Sequence, residues 1–468
     1  MLKTLILRTF AIDLSQASLW QRISLYISLV VFVTSFAVSL TDLAHYEGGD
    51  FNLRYIQARC GFLKLDPYVT TASWWWNGIA QDVHDNYFKN VPRPWGVACQ
   101  TPALLLFYMP LSLLSWETAR WACGILEWGA FLASVLLLSR VIAQQSDRLL
   151  AVATALFFMA GSPFWRLHVE RGQYYIFTVL FIAALLFFLT YKKNDFLSGL
   201  ILGVTISIRP TTLFLAVPFV LHRRWKIVSG TFCSGLAIGL ISLCVFGLDA
   251  WKSFHWISKK YELASIDFTK NPFEDCMKTS QVPELQNYEV SGKEGGAPFP
   301  SVNSTMAGLI RITKPLMAKH EIPADTLLLA AKLFWVGSGL GLLIFFSRRR
   351  SRFFHTHPSA DTYLCYVGIT AVNIVEYAIP YRAAYADIYY LLPVMLGIPV
   401  ITRQKSAWLG VLLLTALASQ QNLLGLVNGW YSIPVRVVGL TLFSVGVLYC
   451  WRCQDEMIPA NNETCTAT

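Results

Sequence analysis

The chain has 468 residues, of which 55% are hydrophobic and only 14% are charged, and its formal net charge is +10. Its mean hydropathy is +0.47. Because a soluble domain carries about 25% charged residues, this composition excludes a soluble enzyme as well as a disordered or fibrous chain. The sequence predicts an all-α integral membrane protein.

Apolar stretches recur along the chain, and most are long enough to cross a hydrocarbon core. At about 1.5 Å per helical residue they predict about twelve transmembrane helices. The predicted spans are 23–42, 119–140, 149–165, 174–191, 195–209, 210–221, 227–247, 326–347, 361–379, 386–402, 407–426 and 435–451. The stretch 103–115 is short and bracketed by prolines, so we expect it to be re-entrant or to lie at the interface.

Basic residues predict which side of the membrane each connection faces, because they collect on the cytoplasmic side. The clusters 222–226 and 348–352 then lie inside, as does the N-terminus. We interpret these clusters as topology anchors rather than as a face that binds nucleic acid, so nucleic acid is not an expected partner.

The predicted organisation has two large extracytoplasmic loops, and loops of such length are usually functional or disordered. In chain order it comprises a cytoplasmic N-terminal segment (1–22), an N-terminal transmembrane catalytic module (23–247) that includes the loop 43–118, a second loop (249–325), a C-terminal transmembrane module (326–451) and a cytoplasmic tail (452–468).

Ionisable side chains gather on the predicted outer face. Because a charge in or beside a bilayer costs free energy, these residues are functional candidates. Asp50 lies just beyond the first span and could take the proton from an attacking hydroxyl. Arg209 precedes Pro210, which interrupts an apolar stretch, and its guanidinium could clamp a lipid phosphate. Arg171 could serve in the same way. The pattern indicates transfer from a lipid-held donor.

Each of these residues also has a structural interpretation. Asp50 could cap a helix or pair with Arg54, four residues on. Arg209 could be a snorkelling topology anchor, and the segment Asp66-Pro67-Tyr68 fits a turn as well as a ligand site. Other open pairings are Glu170 with Arg171, and Glu376 or Asp387 with Arg382.

Two other classes of membrane protein compete with a transferase. A transporter or lipid flippase would place ionisable residues near mid-membrane and would show repeated helix direction. A polysaccharide polymerase would also use an outer loop and arginines. The charges here lie mostly at one predicted face, beside two large loops, which favours a transferase.

Several segments carry a family likeness by their order and spacing. They are Asp50-Phe51 to Asp66-Pro67-Tyr68, Thr101-Pro102-Ala103-Leu104 to Met109-Pro110-Leu111, Gly172-Gln173-Tyr174, Ser198 to Gly203 with Ser207-Ile208-Arg209-Pro210 and Arg223-Arg224-Trp225, and Asn303 to Gly308. Together they resemble glycosyltransferase family 87, the polyprenol-phosphate-mannose-dependent α-mannosyltransferases of the GT-C superfamily.

The resemblance implies a GT-C-like fold, a catalytic base at Asp50, a polyprenyl-phosphate sugar as donor and a glycan or glycolipid as acceptor. With the outer-face residues above, it places donor phosphate binding on Arg209 and Arg171. The expected substrate-binding residues are Asp66, Tyr68, Gln173, Tyr175, Asn303, Arg382, Asp387 and Tyr389. The family's late Ser-Trp-Asp-His-Tyr segment stands here as Tyr385 to Tyr389 without its histidine, so the hexose is open between mannose and another sugar.

The expected setting is a multi-pass protein of the bacterial plasma membrane, with membrane lipid around it and its active site facing the periplasm or exterior. No metal-ligand spacing is visible in the sequence. We therefore expect no cofactor and no metal, the lipid-linked sugar being a substrate.

Overall fold

The computed structural model describes residues 14–15, 17–45, 48–77, 81–94, 100–266, 324–347, 359–379, 384–420 and 429–456. Every regular element in these ranges is helical, which confirms the predicted all-α class. The first six helices are α1 (Leu19–His45), α2 (Gly49–Leu63), α3 (Pro67–Asn77), α4 (Gln81–Tyr87), α5 (Pro102–Ser112) and α6 (Trp116–Val141).

The remaining described helices complete the fold. They are α7 (Gln145–Thr154), α8 (Pro163–Arg171), α9 (Tyr175–Thr190), α10 (Asp195–Ile208), α11 (Val217–Leu221), α12 (Trp225–Ile266), α13 (Ala324–Ser347), α14 (Ser359–Val375), α15 (Leu391–Gln404), α16 (Ala407–Gln420) and α17 (Gly429–Glu456). A π-helix spans Ala155–Met159, and 3-10 helices span Pro210–Leu215, Glu376–Ala378 and Ala384–Tyr390.

Five helical segments of the described residues are long and apolar enough to cross a membrane. They are Leu19–His45, Trp116–Val141, Trp225–Ser258, Thr326–Ser347 and Ala386–Gln404, and the bent pair α8–α9 would make a sixth. The chain is therefore a membrane protein, but the structure does not confirm about twelve spans. Several stretches predicted as spans, among them 195–209 and 407–426, form shorter apolar helices.

The predicted single span at 149–165 is wrong, because the helix breaks within it. The α-helix α7 ends at Thr154, a π-helix follows to Met159, and α8 begins at Pro163. The hydroxyl of Ser162 accepts a hydrogen bond from the backbone N–H of Trp165 at 3.3 Å and so caps the new helix. Proline at the first helical position fits this start.

The predicted span 210–221 is likewise not one α-helix. Pro210 cannot donate the hydrogen bond that would continue α10, and Arg209 takes an extended conformation with φ of −134°. A 3-10 helix then leads into α11 at Val217. The break places Arg209 at the end of α10 rather than inside a span.

The region 43–118, predicted as an outer loop, contains α2 to α5 among its described residues. Helix α2 packs against α3 and α5, and α12 covers α3 and α5 from another side. Ten of the 15 residues of α2 are buried, including the polar side chains of Asn52, Arg54 and Gln57. An element so enclosed holds its first turn, which carries Asp50, in a fixed position.

Helices α10 and α12 cross at glycines. A Cβ at Gly199 would collide with the backbone of Ile227, and one at Gly203 would collide with Thr231 and Ser234. Small residues of this kind allow helix backbones to approach closely in a membrane. Packing thus explains the two glycines, four residues apart, in the segment from Ser198 to Gly203.

The end of α10 away from Arg209 is held by the Arg224 cluster, which comprises Arg224, Asp195 and Asp361. Arg224 donates to Asp195 from Nε at 3.2 Å and from Nη2 at 2.8 Å. Its Nη1 donates to Asp361 Oδ1 at 2.6 Å. The cluster joins α10, the start of α12 and the start of α14 at one level.

An apolar recess of about 280 Å³ lies between α10, α11 and α12. Its lining includes Ile206 and Leu213, which flank Arg209 in the sequence. Its lining also includes Val220 and Ile227, which lie close in sequence to Arg224, and Arg209 itself is not among the lining residues.

Candidate functional site

The site is built around a sharp corner between α8 and α9, whose axes are bent by 108°. Gly172 makes the turn with φ of +65°, in the left-handed region that favours glycine. A Cβ at Gly172 would also lie 2.5 Å from the Cβ of Phe51 on α2. Only glycine fits this position, and the turn points the successive residues 171–175 toward different neighbours. We call residues 171–175 the corner.

The end of α8 is held by a buried arginine from α6. Arg120 donates from Nη1 to the carbonyl of Val169 at 3.1 Å and from Nη2 to the carbonyl of Glu170. Carbonyls in the last turn of a helix lack intrahelical partners, so a cation there satisfies them. Arg120 thereby fixes where the corner begins.

Asp50 lies in the first turn of α2, and this helix begins directly after Gly48, a left-handed residue with φ of +67°. Its Oδ2 accepts hydrogen bonds from Arg171 Nη1 at 3.3 Å and from Gln173 Nε2. The side chain of Asp50 is 13% exposed and that of Arg171 is 18% exposed. The helix N-terminus and the guanidinium both place positive charge beside this carboxylate.

Arg209 takes part in a second network, the Arg209 cluster, which comprises Arg209, Glu376, Tyr174 and Thr211. Arg209 donates to Glu376 from Nε at 2.9 Å and from Nη2 at 2.5 Å, while its Nη1 donates to Tyr174 Oη at 2.8 Å. The hydroxyl of Thr211 donates to the same carboxylate. Glu376 is fully buried, so the charge of Arg209 is balanced by an anion that has no access to water.

Aromatic rings connect the Arg209 cluster with the segment 384–390. Tyr174 and Tyr175 stack with ring centroids 4.5 Å apart. The guanidinium of Arg209 lies 5.2 Å from the Tyr175 ring centroid, and Tyr389 meets Tyr175 edge-on at 5.6 Å. A cation beside stacked tyrosines is stabilised by the ring quadrupoles.

The two networks meet in the corner. Arg171 and Gln173 contact Asp50, whereas Tyr174 and Tyr175 contact Arg209. The carboxylate and Arg209 therefore lie at the same end of the helices, as the sequence predicts. Such a site can accept a proton at Asp50 and oppose negative charge with two guanidinium groups.

Asp66 and Tyr68, expected to bind substrate, have structural partners. One carboxylate oxygen of Asp66 accepts from the N–H groups of Tyr68 at 2.9 Å and Val69 at 3.0 Å, and the other accepts from the Ser253 hydroxyl at 2.8 Å. Tyr68 donates to the carbonyl of Gln100. The two residues start α3 and attach it to α12, which supports the turn interpretation.

The other predicted residues have different placements. Asp387 is fully buried on the 3-10 helix Ala384–Tyr390, which packs against α8 and α9. Glu376 pairs with Arg209, while the alternative pairing of Glu376 or Asp387 with Arg382 involves a residue outside the described ranges. Asn303 and Arg382 lie outside the described residues.

A buried acid–imidazole pair behind the corner was missed at the sequence level. Glu127, in the middle of α6, and His168, on α8, are both fully buried, with Glu127 Oε1 3.5 Å from His168 Nδ1. Because Ile176 N–H donates to His168 Nε2 at 3.3 Å, a neutral His168 carries its proton on Nδ1, facing Glu127. The signal that could have found Glu127 is an acid within an apolar helix.

Arg54 was considered at the sequence level only as a partner for Asp50, and the structure shows that it also contacts the corner. It donates to the carbonyl of Gly172 and to the side chain of Gln173, each at 2.7 Å. Arg54 is thus part of the site through its bonds to the corner.

Within the described ranges, no group of three or more His, Cys, Asp or Glu side chains could hold a metal ion.

Comparison with known proteins gives one family match. The model of glycosyltransferase family 87 matches residues 100–272. This is the family that the sequence motifs resemble, so the resemblance is confirmed and the chain is a membrane glycosyltransferase. The matched range contains the corner and Arg209, while Asp50 and Glu376 lie outside it. No curated protein and no solved structure matches the chain.

Proposed function

We propose that this membrane glycosyltransferase transfers a hexose, with mannose the first candidate, from a polyprenyl-phosphate donor to an acceptor hydroxyl. The observation that carries the proposal is the position of Asp50. Its carboxylate lies in the first turn of α2 and contacts Arg171. Arg171 belongs to the corner, which also contacts Arg209. A base and two cations are thereby grouped at one end of the membrane helices.

In the proposed reaction Asp50 accepts the proton of the acceptor hydroxyl. The acceptor oxygen forms a bond to the anomeric carbon while the bond from that carbon to the phosphate oxygen breaks, with inversion. The phosphate leaves with the electron pair. Cations positioned where this charge develops lower the barrier, and holding donor and acceptor together removes the entropy cost of their encounter.

The contacts favour Arg171 over Arg209 as the first partner of the donor phosphate. Arg171 donates to Asp50 over 3.3 Å, whereas Arg209 holds the buried Glu376 through two bonds of 2.9 and 2.5 Å. A phosphate competes more easily with the longer contact. The charge of Arg209 is balanced by Glu376, and its role is to align Tyr174 and Tyr175.

The apolar recess supports a lipid-linked donor. It is apolar and lies between α10, α11 and α12, so part of a polyprenyl chain could occupy it while the phosphate is bound near the corner. In the proposed orientation the corner faces the periplasm or exterior, because the basic cluster at 222–226 anchors the other end of these helices inside.

The test is a donor panel with the purified full-length protein in detergent. Polyprenyl phosphates that carry labelled mannose, glucose or galactose are incubated with a membrane glycolipid extract as acceptor, and products are identified by mass spectrometry. We expect transfer from one lipid-linked sugar and none from nucleotide-activated sugars. Transfer from nucleotide sugars alone, or no transfer from any lipid-linked sugar, would refute the proposal.

A further inference from the structure

Arg54 is a buried cation that the proposed chemistry does not use. Its side chain lies one turn beyond Asp50 on α2 and is 1% exposed. The rings of Tyr174 and Tyr108 lie 5.1 and 5.7 Å from its guanidinium carbon. A guanidinium held this deeply is costly unless its hydrogen bonds are specific.

The hydrogen bonds of Arg54 decide how the Gln173 amide is turned. A guanidinium can only donate, so the Gln173 atom that faces Arg54 Nη2 at 2.7 Å is the oxygen Oε1. The amide nitrogen Nε2 then points the other way, toward Asp50 Oδ2. An NH2 group can only donate, and the carboxylate oxygen Oδ2 accepts.

The same guanidinium also fixes the backbone that carries Gln173. Nη1 donates to the carbonyl of Gly172 at 2.7 Å, at the left-handed turn of the corner. The two bonds diverge from one planar group, so the turn and the amide are held in a fixed relation. A planar fork suits this double contact in a way that an ammonium does not.

We propose that Arg54 is a positioning residue for glycosyl transfer, which orients the Gln173 amide so that its NH2 group holds the carboxylate of Asp50. The proposal rests on the proposed function for the identity of the reaction, but the orientation of the amide is independent of it. Without Arg54 the amide is free to turn by half a rotation. Neither its oxygen nor the turn that carries it would be held, so its NH2 group would no longer be fixed against the carboxylate.

A double-mutant experiment on transfer separates positioning from a general structural effect. The full-length variants Arg54→Met, Gln173→Leu and the double variant are compared using the lipid-linked sugar found active in the donor panel. We expect each single change to lower kcat roughly tenfold to hundredfold, with the KM for donor unchanged. If Arg54 acts through Gln173, the double variant is no slower than Gln173→Leu.

Two further variants serve as controls. Arg59→Met removes another guanidinium from α2, one that bonds the Tyr55 hydroxyl at 2.5 Å, and should leave kcat close to the wild-type value. Arg54→Lys keeps the positive charge but lacks the planar guanidinium that makes both hydrogen bonds. It should lose most of the activity, and it should fold even if Arg54→Met fails to fold. Full activity of Arg54→Lys, or additive losses in the double variant, would overturn the proposal.

A second readout needs no turnover. The unfolding temperature in detergent is measured for Gln173→Leu, Asp50→Ala and their combination, first with Arg54 and then in the Arg54→Lys background. We expect energetic coupling between Gln173 and Asp50 only when Arg54 is present. Equal coupling in both backgrounds would refute the role of Arg54, whereas absence of transfer from every donor would refute only the proposed function.

Discussion

Two arginine clusters lie at opposite ends of α10, and they use the same chemistry in different surroundings. At one end Arg224 joins Asp195 and Asp361, with side-chain exposures of 26%, 26% and 22%. At the other end Arg209 holds Glu376, with exposures of 13% and 0%. Water still screens the first cluster, while the second depends on its partners alone.

The Arg224 cluster has a structural role, whereas the Arg209 cluster belongs to the candidate site. The Arg224 cluster ties three helices together and contacts neither the corner nor the aromatic rings in its hydrogen bonds. The Arg209 cluster is continuous with Tyr174 and Tyr175, and through the corner with Asp50. We therefore expect changes at the first cluster to affect stability, and changes at the second to affect both stability and transfer.

The strongest test of this contrast is Asp50→Asn. If Asp50 accepts the proton of the acceptor hydroxyl, this substitution should lower the rate of sugar transfer by about 100-fold or more, because an amide is not a base. Folding should be retained. The rate of sugar transfer from the lipid-linked donor is the measurement. Asp361→Asn, a matched change at the Arg224 cluster, should transfer at close to the wild-type rate, and normal turnover by Asp50→Asn would remove Asp50 from the mechanism.

The buried ion pair gives the next largest effect. Glu376→Gln leaves the cation of Arg209 without its anion and should lower the free energy of unfolding by about 3–5 kcal/mol. Thermal or denaturant unfolding in detergent measures the change. The double variant Glu376→Gln with Arg209→Met should recover part of this loss, since it removes the unpaired charge; a purely additive double loss would contradict the pairing.

Donor affinity should respond to Arg171. Arg171→Ala removes the guanidinium proposed to bind the phosphate and should weaken binding of polyprenyl phosphate by about 1–3 kcal/mol, the range for hydrogen bonds to charged groups. Binding of the lipid to protein in nanodiscs can be followed by native mass spectrometry. Unchanged affinity would move phosphate binding to Arg209 or to another group.

At the opposite end of α10, Arg224→Met should lower the free energy of unfolding by about 1–2 kcal/mol, because partly exposed ion pairs contribute less than buried ones. The KM for donor should be unchanged. The free energy of unfolding and the KM are measured on the same preparation. A raised KM with normal stability would contradict a purely structural role for the Arg224 cluster.

The smallest expected effect is that of Asp66→Ala. Loss of the bonds from Asp66 to the first turn of α3 should cost about 1 kcal/mol of stability, with donor and acceptor KM unchanged. Steady-state kinetics beside a melting curve would show it. A selective rise in either KM would restore the ligand role that the sequence first suggested for Asp66.

The sequence predicts single residues of the site better than their pairings. Asp50, Arg171 and Gln173 were each expected at the outer face, and the structure brings them together. The partner of Arg209 could not be predicted, because Glu376 lies 167 residues away and only the tertiary fold brings them into contact.

The membrane spans show the same limit at a larger scale. Hydropathy locates the apolar stretches correctly, but it does not show where a helix breaks. The π-helix at Ala155–Met159 and the turn after Arg209 depend on packing and on backbone donors that proline lacks. The twelve predicted spans are therefore not confirmed, although the helical class is.

The bend between α8 and α9 has a consequence for how the enzyme could change its substrates. Five adjacent residues serve both halves of the site, so a shift of this segment moves the base and the phosphate side together. Substitutions in the corner would therefore not change the donor preference and the acceptor preference separately. Divergence between relatives should instead accumulate in the facing elements, α2 and the segment 384–390, which can vary one at a time.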